Sequence, residues 1–295
     1  MPKLNNGITL MLLSALISAL NGALTKILSD DISAMEIVFF RNLIGVFLIL
    51  YTLKHTPPRL TGGKFHLLIM RGILGFSGMI LFFYTITVIP LGEAITLNKT
   101  SPLFITILAY YLLKEHISLQ IFIALIIGFL GIILITKPFE MSLSYEHFLG
   151  ILGGALAAGA YTTIKTIKDI YDSRVIVLSF VTVGTLFPIL FFVVAPYIQA
   201  PTYLEFLFPT FIVPQTLLIW SLILFMAIIS TLSQWLLTKA YSASVNLSIV
   251  GVISYTNIPF AIGFGFILGD SFPDSFTFMG IGLIVLGGIL VGMKK

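Results

Sequence analysis

The chain has 295 residues, of which 58% are hydrophobic and only 9% charged, with a mean hydropathy of +1.09. A soluble domain carries about 25% charged residues, so composition excludes one and points to a polytopic membrane protein. The net charge of +4 does not imply nucleic acid, and the absence of cysteine excludes disulfides, thiolate metal sites and cysteine nucleophiles.

Hydropathy interrupted at proline, glycine and charge predicts ten spans: 8–28, 34–53, 65–88, 92–113, 119–136, 148–167, 175–194, 215–238, 244–268 and 276–291. The apolar run that opens at Ile8 is longer than a signal-peptide core and reads as the first span. The fourth span is unusual because Lys99 falls about 9 Å below Glu93 at helical rise. Glu93 reaches the interface, whereas an ammonium near the bilayer centre costs about 3 kcal/mol unless it meets water or a partner. Pro102 frees a backbone carbonyl near Asn98 and Lys99, so polar groups and a loosened backbone coincide. The stretch 195–214 holds Pro196, Pro201, Pro209 and Pro214 around FLFPTF. It reads as an interfacial or re-entrant loop rather than an eleventh span.

With the N-terminus inside, Lys3, Lys54, Arg59, Lys64, Lys114, Lys168, Arg174, Lys294 and Lys295 are all cytoplasmic, and Lys137 is the only clear loop cation outside. This predicts a multi-pass plasma (inner) membrane protein with both termini cytoplasmic. Shifting the second half back by 157 residues aligns Pro102 with Pro259 and Gly131 with Gly288. Five spans per half turn the second half upside-down, as in carriers whose site lies near the midplane at the repeat interface. The expected fold class is an all-α integral membrane protein of ten transmembrane helices in two inverted five-helix repeats, 1–138 and 139–295. Gly128, Gly131, Gly280, Gly282, Gly287, Gly288 and Gly292 then read as packing faces that join the fifth and tenth spans away from the cavity.

Buried-looking charge divides into two groups. Arg71, Lys165 and Lys239 lie within about two turns of the cytoplasmic ends and are expected to snorkel. Arg41 and Lys99 lie deeper, at matched depth, and repel unless an anion sits between them. They are read as a clamp on a substrate carboxylate, Arg41 supplying a bidentate fork and Lys99 a point charge. The bland alternative pairs each with Glu36 or Glu93 to hold helices together. Lys26, Glu36 and Glu93 are candidates for an outer gate or for proton coupling. Asn21, Tyr84, Asn98, Gln234, Trp235, Tyr255 and Asn257 are candidate neutral or aromatic substrate contacts, weighed against helix-helix hydrogen bonding.

FFRN in the second span, RGILGFSGMILFFYTITVIPLGEAITLNKTSPLF across the third and fourth, the KE pair at 114–115 and the glycine-rich fifth and tenth spans resemble the EamA type of the drug/metabolite transporter superfamily. The resemblance covers nearly the whole chain. It implies paired inverted repeats, a central cavity lined by spans one to four and six to nine, and alternating-access transport of small metabolites. The turn at Pro90–Ala94 and the helix-ending Lys114-Glu115 are its most typical parts, and the second repeat lacks that Glu and offers Asp270 instead. The surroundings of Arg41 and Arg71 resemble the branch that holds carriers of S-adenosylmethionine and amino-acid-like compounds.

The expected function is secondary or facilitative transport of an amino-acid-like, carboxylated or zwitterionic metabolite, in the export direction. Amino acids, S-adenosylmethionine and opine-like metallophores are example substrates. The alternatives are export of organic cations and uptake of S-adenosylmethionine-like metabolites. An enzyme or lipid flippase is disfavoured by the lack of HExxH or paired intramembrane aspartates and by histidines (His55, His66, His116, His147) in or beside loops. A channel is disfavoured by the lack of filter repeats or charge rings. No cofactor or metal is expected. The expected partners are a small-molecule substrate, the lipid bilayer and protons as a candidate coupling ion; nucleic acid is not among them. A monomer or weak homodimer suffices.

Overall fold

The computed structural model describes residues 2–29, 31–58, 62–89, 91–136, 144–244, 246–267 and 274–292, with the backbone alone at 2–5, 87, 91–93, 96, 136, 202–203 and 292. The 138/139 repeat boundary falls outside these residues, as does the side chain of Glu93. Among the described residues there are α-helices and short 3-10 turns and no strand. Seven helices are long and apolar enough to cross a membrane, and three shorter apolar helices accompany them.

In chain order the α-helices are α1 (Pro2–Leu28), α2 (Ala34–His55), α3 (Phe65–Val88), α4 (Leu91–Asn98), α5 (Ser101–Leu113), α6 (Leu119–Thr136), α7 (Tyr145–Ile167), α8 (Ser173–Val194), α9 (Leu217–Ala243), α10 (Leu247–Ile253), α11 (Asn257–Ile267) and α12 (Ser275–Gly292), with 247–267 making one of the seven long spans. The expected fourth span is therefore two helices that break at Lys99 and Thr100. Pro102 sits in the first turn of α5, where its missing amide leaves no hydrogen bond unmade. The expected ninth span breaks in the same way, through a 3-10 turn at Ser254–Thr256, with Pro259 in the first turn of α11. The two broken segments cross. A methyl on Gly251 would lie 3.2 Å from the Cβ of Pro102.

Close approaches through glycine set the other crossings. On α3, Gly72 faces the carbonyl of Ser179 on α8, and Gly78 faces the carbonyl of Gly153 on α7. Gly131 and Gly280 each face the other's carbonyl, which joins α6 to α12 without lining the cavity described below. The principal neighbours are α1 with α9, α3 with α7, α2 with α8, α3 with α8, α2 with α9, α1 with α11, α5 with α7, and α6 with α12. Helix-to-helix polar contacts are few and specific. Asn42, the last residue of FFRN, donates from Nδ2 to the carbonyl of Gly184 at 3.2 Å, and Ser14 and Ser233 exchange hydroxyl-to-carbonyl bonds of 2.8 and 3.0 Å.

One end of the bundle is tied by residues 62–63, whose backbone bonds to Ile170 and Tyr171, and by Arg174, which reaches the carbonyl of Thr52 at 3.1 Å. At the opposite end, residues 195–216 form two 3-10 turns, Ala195–Tyr197 and Thr202–Leu207, and no further span. Phe211 packs edge-on to Phe39 and Phe192, so the apolar FLFPTF stretch is an aromatic strap over α2 and α8.

Candidate functional site

A cavity of about 500 Å³ lies between the helices. That volume suits a small metabolite. Side chains from α1, α2, α3, α4, α5, α7, α8, α9 and α11 and from the two helix breaks line it. Its charged lining consists of Lys26, Arg41, Arg71 and Lys99, and no carboxylate lines it among the described residues.

The two arginines converge on one ring. The guanidinium carbon of Arg71 lies 4.9 Å from the centroid of Phe180, and that of Arg41 lies 5.8 Å from it. Arg71 is fully buried, and none of its three guanidinium nitrogens has a hydrogen-bond partner among the described residues. Its expected snorkelling toward the membrane surface is not what the structure has. Helical side chains lean toward the N-terminus of their helix, which would carry Arg71 to the membrane surface; instead it runs the other way, along the space left by Gly75. A methyl at Gly75 would collide with the guanidinium and come within 2.8 Å of Phe180. The sequence signal is a glycine four residues after an arginine, in RGILG.

Lys99 caps the crossing of the two helix breaks, its Nζ 3.4 Å from the carbonyl of Ser254. Lys99 thus rests on the turn at Ser254–Thr256 whereas Arg41 and Arg71 meet at Phe180, and Arg71 joins Arg41 and Lys99, the two cations expected to face a substrate, in lining the one cavity. Asn21, Asn98, Gln234 and Asn257 line the same cavity. Asn257 donates to the carbonyl of Ala15 at 2.9 Å, and the Oδ1 of Asn21 is buried without a partner. Lys26 lies near the cavity end of α1 and is exposed.

Four candidates lie elsewhere. Tyr84 stacks on Phe206 of the strap at 3.8 Å. Trp235 packs into the core around α2 and α9, with the ammonium of Lys239 3.8 Å over its ring. Tyr255 is wholly buried against Gly128, in the core shared by α6 and α12. Glu36 is occupied as a helix cap: Oε2 accepts from the amide and hydroxyl of Ser33 at 2.8 and 2.6 Å, and Oε1 accepts from the amide of Ile212 at 2.5 Å. It therefore fastens the strap to α2 rather than pairing with Arg41. The Ser33-x-x-Glu36 spacing before an apolar run is a capping box.

A partly buried cation outside the cavity is engaged on both sides. Lys165 on α7 pairs with Glu115 at 3.3 Å and donates to the carbonyl of Ser244 at 2.5 Å. Glu115 also accepts from the amide of Leu247 at 2.9 Å. These bonds join the ends of α5 and α7 to the linker between α9 and α10. Just above them Tyr161 and Tyr241, both lining the cavity, stack with centroids 4.9 Å apart and planes 13° from parallel.

Residues 5–137 match the EamA-like transporter family. The chain is 32% identical to the pseudopaline exporter CntI of Pseudomonas aeruginosa strain UCBPP-PA14, over 99% of this chain and 98% of that one. It is 32% identical to an uncharacterized transporter of Helicobacter pylori strain 26695, over 97% and 94%, and 25% identical to an S-adenosylmethionine uptake transporter of Rickettsia prowazekii, over 95% and 90%. A solved crystal structure superposes with a TM-score of 0.74 at 15% identity, over 99% of this chain and 97% of its own, and shares the fold. With a relative 32% identical from end to end, this chain is a multi-pass membrane protein of the EamA-like transporter family.

Proposed function

We propose that the protein is a secondary carrier that exports a carboxylated, amino-acid-like metabolite from the cytoplasm by alternating access. It works across the plasma (inner) membrane between two inverted halves, 1–138 and 139–295, of five membrane crossings each, with both termini cytoplasmic. The observation that carries the substrate class is Arg71, a fully buried guanidinium that faces the cavity with no partner. Such a group is costly to bury unless something completes it, and a carboxylate is the anion whose two oxygens match a guanidinium fork.

The inverted-repeat reading is supported by the neighbour relations. Exchange α1 with α7, α2 with α8, α3 with α9, the α4–α5 unit with the α10–α11 unit, and α6 with α12. Then α1 with α9 becomes α7 with α3, α3 with α8 becomes α9 with α2, and α1 with α11 becomes α7 with α5; α2 with α8 and α6 with α12 map onto themselves. The helix breaks before Pro102 and Pro259 exchange as well. An arrangement of this kind puts the site where the halves meet.

The export direction is favoured by the relative named as an exporter, which is matched at 32% identity against 25% for the one named for S-adenosylmethionine uptake. The uptake reading keeps the same carboxylate recognition, but it leaves a sulfonium cation in a cavity without a described carboxylate. Export of organic cations meets the same obstacle. The test is the thermal stabilisation of the purified chain by amino acids, carboxylates and organic cations, since a ligand that binds only the folded state stabilises it by RT ln(1 + [L]/Kd). Carboxylates are expected to stabilise the wild type and not Arg71→Gln. Stabilisation by cations alone, equal in both proteins, would refute the reading.

A further inference from the structure

The cations of the cavity stand on two walls. Arg41 and Arg71 come from α2 and α3 and meet at Phe180 of α8, and these three helices are mutual neighbours. Lys99 belongs to the other wall, where the α4–α5 break rests on the turn at Ser254–Thr256. Resting on the reading of this cavity as an anion site, we infer that the transported substrate carries two carboxylates, one bound on each wall. The first sits between Arg41 and Arg71, the second on Lys99.

Two features of the cavity call for the second anion. A single carboxylate held by the arginine pair leaves Lys99 with one described acceptor, a carbonyl at 3.4 Å, although an ammonium has three protons to donate. No described side chain in the lining supplies the missing negative charge. A plain amino-acid zwitterion does not supply it either, because its one carboxylate is already taken by the arginine pair. A ligand that touches both walls also ties occupancy to their relative position, which a ligand on one wall does not.

The experiment is isothermal titration of the purified full chain with adipate, pimelate and suberate, each beside its own monomethyl ester, and with hexane-1,6-diamine as the cation control. Each ester keeps the length of its diacid and removes one charge. The expected result is at least one diacid that binds about tenfold or more tightly than its ester, the scale of one charge-assisted contact. Lys99→Gln should bring that diacid down to its ester's affinity, whereas Arg71→Gln should weaken both. If a diacid and its ester bind the wild type equally and both need Arg71, the two-carboxylate inference is wrong while the anion cavity stands. Binding of the diamine alone, or of no anion, sinks both. The wild-type ratio decides the matter even if a variant does not fold.

Discussion

Arg71 and Lys165 are both cations in the interior of an apolar chain, and they are held in opposite ways. Lys165 has a carboxylate at 3.3 Å and a carbonyl at 2.5 Å, and its Glu115 partner takes a backbone amide as well. Arg71 has an aromatic ring at 4.9 Å and no acceptor among the described residues. A buried pair repays part of its desolvation through mutual attraction, whereas an isolated cation does not. The difference separates a charge that fastens helix ends from one that waits for an anion. Depth along a helix, which suggested snorkelling for both, does not make this distinction.

The largest effect expected of this contrast is on the paired side. Lys165→Met leaves Glu115 nearly buried without its cation and should lower stability by about 2 kcal/mol, the buried-pair cost reduced for the remaining exposure. Thermal unfolding in detergent reads it, and Glu115→Gln added to Lys165→Met should recover part of the loss. On the unpaired side, Gly75→Ala drives a methyl into the space of the Arg71 guanidinium and Phe180. Carboxylate affinity measured by titration should fall about tenfold, equivalent to about 1.4 kcal/mol, with a smaller change in melting temperature.

Two further substitutions sharpen the contrast because they touch neither cation. Glu36→Gln weakens the capping box and the bond to Ile212, which should cost about 1 kcal/mol of stability and leave carboxylate affinity unchanged. Asp172 caps α8 and bonds to Arg174 through two side-chain contacts of 2.9 and 3.1 Å. The Arg174 hydrogen bond holds its carboxyl below the usual value of 3.8. A lowered folded-state value means that the contribution is present above the unfolded value and is lost as pH falls through the folded one. Stability scanned below about pH 4 should therefore decline less steeply in Asp172→Asn than in the wild type.

Much of the architecture is legible in local chemistry. The apolar segments, the break that Pro102 makes at Lys99 and the proline-rich strap at 195–214 depend on neighbours in sequence, and the helices follow them. The candidate site is legible only in part. Arg41, Lys99, Asn21, Asn98, Gln234 and Asn257 line the cavity, because polar groups in apolar helices gather where there is space and water. Tyr255, Trp235 and Tyr84 do not, because a helix that is apolar all round has no stripe to reveal which side faces inward. Arg71 was hidden for a different reason. Both directions of its side chain are open to an arginine two turns into a span, and tertiary packing at Gly75 and Phe180 selects between them. Glu36 announced its role through Ser33, three residues before it, which is a pattern of helix starts rather than of membrane depth.

The most direct test sets Arg71→Gln beside Lys165→Met and records the thermal unfolding of each with and without adipate. A crossed result is expected: Arg71→Gln melts at or above the wild-type temperature and loses the ligand-induced rise, while Lys165→Met melts lower and keeps it. If both variants lose stability and ligand response together, Arg71 is a structural cation like Lys165, and the unpartnered guanidinium is not the anion site.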